Sequence, residues 1–182
     1  QELVNTAQPL SATLPQSQPA CLTDAATGLI DCGNWGVSAS WNVPAGAVSG
    51  VYFAKLTRTD TNGASQIPFV VRNDASHADL LYQTSDTTWQ AYNRAGITST
   101  YGSFDPADPQ ERAYKVSMNR PYVTRDYRAV NLVFNAEYPM VRWLEANGYD
   151  VSYFTDLDGD RRGAEIQEHK VFMSSGHDEY WS

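Results

Sequence analysis

The stretch Lys170-Val171-Phe172-Met173-Ser174-Ser175-Gly176-His177-Asp178-Glu179-Tyr180-Trp181-Ser182 decides how the chain is read. Val171, Phe172, Met173 and the aliphatic stem of Lys170 favour burial. They run into two serines and a glycine, and only then do three ionisable residues follow in a row. This is the pattern of a buried strand whose C-terminal end opens onto a turn, where open α/β sheets bind their ligands. Side chains alternate along an extended turn, so His177 and Glu179 share a direction while Asp178 points elsewhere. A carboxylate and an imidazole converging on a cleft suit metal binding or general acid/base work. A capping Asp and a helix-start Glu are the structural alternative for the same residues.

Two further strands belong beside this one. Residues 78–83 hold Leu80, Leu81 and Tyr82 without alternation, as a strand covered on both faces does, and Tyr149 to Phe154 reads as another. Between them, Asn135 to Asn147 predicts a helix. Met140, Val141, Trp143 and Leu144 share a broad face, Asn135 caps the start, Pro139 sits in the first turn, and Asn147-Gly148 supplies the left-handed stop. Thr84 to Asn93 reads as a polar turn and a single helical turn. Residues 94–128 are broken by Gly96, Gly102, Pro106, Pro109 and Pro121, leaving Ala113 to Met118 as a short strand candidate. Strand, irregular insertion, helix, strand, connector, strand is the opening of a parallel, flavodoxin-like sheet. The helix expected after the 170–182 stretch is not contained before Ser182, so the sheet reads as truncated.

The first part of the chain follows another grammar. Residues 1–20 carry Pro9, Pro15 and Pro19 and read as a linker or edge strand. Trp35, Val37, Ala39 and Trp41 alternate, as do Val51, Phe53 and Lys55 against Tyr52, Ala54 and Leu56, and Ile67 to Val71 makes a further strand. Asn42-Val43-Pro44-Ala45-Gly46 and Asp60-Thr61-Asn62-Gly63 supply turns. The expectation is a partial antiparallel β-sandwich over 1–72 and the N-terminal part of an α/β domain over 73–182. Too few strands are present to close both layers, which calls for upstream or downstream domains of a longer chain or for a homo-oligomer. Cys21 and Cys32 are the two cysteines; their spacing is wrong for CxxC chemistry and suits a disulfide closing a polar loop, which favours an extracellular setting.

Bulk properties exclude several classes. With 42% hydrophobic and 12% aromatic residues the chain can build a core, while a net charge of −8 with scattered basic residues argues against nucleic acid as a partner. No apolar run approaches the roughly 18–20 residues of a membrane span. GxSxG, HExxH, P-loop and dinucleotide fingerprints are absent from the sequence. Asp156-Leu157-Asp158-Gly159-Asp160 imitates the start of an EF-hand loop, but Arg161 and Gln167 stand where Gly and Glu are needed, so a solvated turn neutralised by Arg161 and Arg162 is expected. Ser174 and Ser175 read as hydrogen-bonding residues at a strand end in preference to nucleophiles.

The run from Glu137 to Tyr153, with His169-Lys170 and Ser175-Gly176-His177-Asp178-Glu179-Tyr180-Trp181-Ser182, resembles the large (β) subunit of N,N-dimethylformamidase and its secreted relatives. Ser49-Gly50-Val51-Tyr52, the run from Thr84 to Asn93 and Asn119-Arg120-Pro121 carry the same resemblance, which extends from about Cys32 onward. It implies a sandwich-type region joined to a domain like the class I glutamine amidotransferases. It also implies a mononuclear, ferric iron held by Tyr52, Tyr92 and Glu179, with His177 beside it as an acid/base partner. Such a site would hydrolyse the C–N bond of a small amide substrate. Without the resemblance, Tyr52 reads as an ordinary strand residue and Tyr92 as packing against Trp89. A non-catalytic extracellular structural or adhesive module with a vestigial site is the competing function.

Overall fold

A computed structural model describes residues 16–96, 99–102, 112–124, 132–135 and 137–181, with the backbone of Ser11–Ala12. The chain forms two compact units, Gln1–Ala47 with Gln90–Tyr122, and Val48–Trp89 with Val123–Ser182.

In the first unit β1 (Ser11–Ala12) pairs antiparallel with β4 (Ala39–Ser40), and β2 (Leu22–Asp24) with β3 (Leu29–Asp31). The β2–β3 hairpin turns where the Asp24 carboxylate accepts from the Ala26 N–H at 3.0 Å and the Thr27 hydroxyl at 2.8 Å. These bonds hold the Asp24 carboxyl below its usual range. Gly28 follows at φ +70°, a left-handed position that favours glycine. Cys21 and Cys32 are joined across the ends of this hairpin, as expected from their spacing. The alternating stretch at Trp35–Trp41 contributes only the short β4, and Trp35 and Val37 are exposed. Trp35 is held differently: its indole N–H donates to Pro19 O at 2.9 Å, and the Gln18 side chain donates to Gly36 O and accepts from Gly36 N–H. Satisfied main-chain groups outside a ladder therefore replaced the predicted strand. Ala113–Met118 is likewise not a strand.

In the second unit β5 (Gly50–Thr57) and β6 (Ala64–Val71) form an antiparallel ribbon, Gly50 opposite Val71 and Thr57 opposite Ala64. Its connection uses the expected Asp60–Gly63 turn, with Asn62 at φ 57°. The parallel sheet comprises β7 (Leu80–Thr84), β8 (Val151–Thr155) and β9 (Val171–Met173), in the order β8-β7-β9. All five residues of β7 are buried, as its unbroken apolar run predicts. Strand β9 is only half-buried, because it pairs on one side alone among the described residues. Leu80, Tyr82, Leu144 and Tyr153 form the core, with Val51 and Val70 of the ribbon and Met140, Val141, Val151 and Met173 packed against it.

Three helices complete the elements: α1 (Asp86–Tyr92), α2 (Tyr138–Ala146) and α3 (Asp156–Arg162), the last continued by a 3-10 turn over Gly163–Glu168. Helix α2 starts two residues later than the pattern predicts, with Glu137 and not Asn135 at its N-cap, and Trp143 lies half-exposed instead of facing the core. Its stop is as read, with Gly148 at φ +70°. The acidic stretch at Asp156 is not a solvated turn. Thr155 and Asp158 make a reciprocal capping box, and Asp156 and Asp158 are buried in the first turn of α3. The structure thus has mixed strands and helices, small antiparallel sheets and a three-stranded parallel sheet. Among the described residues no helix is long and apolar enough to cross a membrane.

Candidate functional site

The C-terminal ends of β7, β8 and β9 lead into α1, α3 and the segment 174–181, and polar side chains gather at these ends. The order β8-β7-β9 means that the chain leaves the first strand to one side and returns on the other. Ligands of open α/β sheets bind at such a reversal.

At the end of β7, the Glu137 carboxylate is fully buried. One oxygen, Oε1, accepts from the Ser85 N–H at 3.2 Å, from the Ser85 hydroxyl and from the Trp89 indole N–H at 2.7 Å. Burial pushes this carboxyl up in pKa, against the pull of those donors. Its other oxygen has no hydrogen-bond partner among the described residues. One residue on, Asp86 accepts the Asp156 N–H at 3.0 Å, while Thr87 donates its N–H to Asp156 at 3.0 Å and its hydroxyl to the same carboxylate. Burial first, then the neighbouring Asp156 carboxylate, pushes Asp86 up to about 9. This shift favours the protonated form of Asp86, which can donate to Asp156. This pair joins the starts of α1 and α3.

The turn after β9 is bound to the same edge. The Tyr82 hydroxyl hydrogen-bonds the Ser175 hydroxyl, the Gln83 amide donates to Asp178 Oδ2 at 2.9 Å, and the Glu179 N–H donates to Thr88 Oγ1 at 3.1 Å. The Thr87 hydroxyl also lies 2.8 Å from Tyr180 O, so its single proton is shared between this carbonyl and Asp156. Burial raises Asp178 and drives the Tyr82 phenol far up. A Cβ at Gly159 would lie 2.8 Å from Gln83 Oε1, so a side chain there would have to displace the end of Gln83.

His177 and Glu179 do share a direction: His177 Nδ1 is 3.5 Å from Glu179 Oε1, with the two side chains 61% and 36% exposed. Asp178 turns to Gln83 instead. Tyr52, on β5, tilts against Phe69 at 5.8 Å and donates its hydroxyl to Val48 O at 2.8 Å. Burial and the Glu145 carboxylate raise its pKa. Tyr92 belongs to the other unit, where it stacks on Tyr101 at 4.2 Å. Asp86, Glu137, Gln83 and Thr88 were not singled out as site residues from sequence, and Asp156 was read as part of a solvated turn. The one local signal was Thr155-x-x-Asp158, a capping-box spacing that places Asp156 in a helix start.

The family model for N,N-dimethylformamidase beta subunit-like proteins, C-terminal part, matches residues 1–182. The chain belongs to this family. A search of curated proteins found no match. The ferric ion implied by the sequence resemblance is the group to test against these residues. Phenolate and carboxylate oxygens are hard donors suited to that ion, and Glu179 offers one from an exposed turn. Tyr52 could join only after giving up its bond to Val48 O and losing its proton. Among the described residues no group of three or more His, Cys, Asp or Glu is arranged to hold a metal.

Proposed function

We propose that the chain carries the metal-binding part of a dimethylformamidase-like amidohydrolase that cleaves the C–N bond of a small amide. Tyr52, Tyr92 and Glu179 are the proposed ligands of a mononuclear ferric ion, and His177 is the proposed acid/base group. The observation that carries the reading is the His177–Glu179 pair, 3.5 Å apart on the turn after β9, at the end of the sheet where its strand order reverses. Family membership and the order β8-β7-β9 support a flavodoxin-like, amidotransferase-type sheet, and the β5–β6 ribbon supports a sandwich-type portion within 1–72. The Cys21–Cys32 bond is compatible with an extracellular setting.

A bound ferric ion would supply Lewis acidity toward an amide carbonyl and a water. The chain's own contribution is proton handling. In this scheme His177 takes the proton from the attacking water, with Glu179 beside its ring, and returns it to the leaving nitrogen. Water adds to the carbonyl carbon, the C–N bond breaks, and a carboxylic acid and an amine leave.

Purified protein should contain stoichiometric iron and show a tyrosinate-to-iron charge-transfer band, both lost in Tyr92→Phe. His177→Gln should keep the iron and lose amide hydrolysis. Colourless, iron-free protein that assembles through its β edges would instead favour a non-catalytic structural module.

A further inference from the structure

We propose that Thr88 is a positioning residue whose buried hydroxyl holds the main chain of Glu179 and so sets the direction in which that carboxylate leaves its turn. The proposal rests on the reading of Glu179 as a metal ligand. Strand β9 ends at Met173, and the segment 174–181 has neither helix nor ladder to fix it. What holds it is a row of side-chain bonds. Tyr82 grips Ser175, Gln83 grips the Asp178 carboxylate, Thr88 accepts the Glu179 N–H, and the Trp181 indole donates back to Asp178 O at 2.8 Å.

Among these contacts the Thr88 bond falls on the backbone of the proposed ligand itself. Thr88 has no exposed surface, so its hydroxyl has a fixed place on α1. The Glu179 side chain is 36% exposed, and its direction follows from where its own backbone is pinned. Gln83 reinforces this from the neighbouring residue by turning Asp178 inward, which leaves His177 and Glu179 on the open side.

The test compares wild type, Thr88→Val and Thr88→Ser in the full 182-residue chain. Two properties are measured: amide exchange at Glu179 and affinity for ferric ion. Thr88→Val should speed Glu179 exchange about tenfold and weaken ferric affinity about 10- to 100-fold, the usual effect of losing a group that orients a ligand. Thr88→Ser, which keeps the hydroxyl, should restore both. If Thr88→Val loses its near-UV circular dichroism, Thr88→Ala takes its place, removing the acceptor without branched bulk. A folded variant without the hydroxyl that keeps Glu179 protected, or binds iron as wild type does, overturns the proposal. So does failure of the serine variant to restore exchange. Wild type that binds no ferric ion overturns the metal reading of Glu179, and amide exchange then decides alone whether Thr88 anchors the turn.

Discussion

In the unit formed by Gln1–Ala47 and Gln90–Tyr122, a disulfide and side-chain clasps do what a packed core does in the unit formed by Val48–Trp89 and Val123–Ser182. Among the described residues, the buried hydrophobics of the first are Cys32, Ala91 and Ala113. Its interior is held by Arg120, whose guanidinium donates to Gln90 Oε1 at 3.0 Å, Gln90 O at 2.7 Å and Ala95 O at 3.2 Å, and by Asn93, which donates to Pro121 O at 2.8 Å. Burial lowers the pKa of Arg120. The second unit buries Leu80, Tyr82, Leu144 and Tyr153 in one cluster, and Leu81 and Phe154 are buried as well. A packed interior can hold polar groups rigidly, and the second unit uses its core for that, carrying Asp86, Glu137 and Asp156 at the strand ends above it.

The sharpest way to break this comparison is Leu144→Ala. Leu144 is 1% exposed and touches the centre of the core, so truncation should cost about 2–5 kcal/mol in denaturant unfolding. The loss should appear in amide protection of β7 and β8. A cost below about 1 kcal/mol, the usual range for an unburied site, would mean that the core is not the support of the second unit. Replacing both Cys21 and Cys32 by Ser should cost about 2–3 kcal/mol, from the loop entropy returned to the unfolded chain. Here the loss should fall on the β2–β3 hairpin. Equal loss of protection in both units would erase the distinction between them.

Legibility in the sequence follows the range of the interactions. The buried strand β7 was readable because a strand covered on both faces shows an unbroken apolar run, and the stop of α2 because Asn147-Gly148 acts locally. The shared direction of His177 and Glu179 follows from alternation over three residues. The failures are nonlocal. Trp35 and Val37 alternate like strand residues, yet the partners that satisfy this region are Pro19 O and the Gln18 side chain. Asp156 read as solvated because charge dominates its neighbourhood, but it is buried by meeting Asp86 and Thr87, about 70 residues earlier in the chain. No local pattern reports that two strand ends will adjoin. Tyr52, Tyr92, His177 and Glu179 came from family resemblance and from one turn, whereas the residues that hold that turn came from the fold.

The finest test of the comparison is pH dependence, because among the described residues the buried acid pair lies in the unit with the packed core. Asp86 keeps its proton up to about 9 in the folded chain, against an ordinary value of 3.8. Between those values the folded state binds one proton more than the unfolded state. Its stabilising contribution is therefore complete below the unfolded value, and declines as pH rises toward the folded one. The slope from one such group is at most about 1.4 kcal/mol per pH unit. Glu137 and Asp178 are raised as well and act in the same sense, so wild type should be most stable on the acid side of neutrality. Asp86→Asn keeps an N–H for the Asp156 carboxylate and an oxygen for the Asp156 N–H, but it carries no titrating proton. Its unfolding free energy should match wild type below the unfolded value of 3.8 and exceed it increasingly up to pH 8, with a shallower slope between. Parallel slopes for the two proteins would show that Asp86 is ionised in the fold and that the acid pair is not held by the core beneath it.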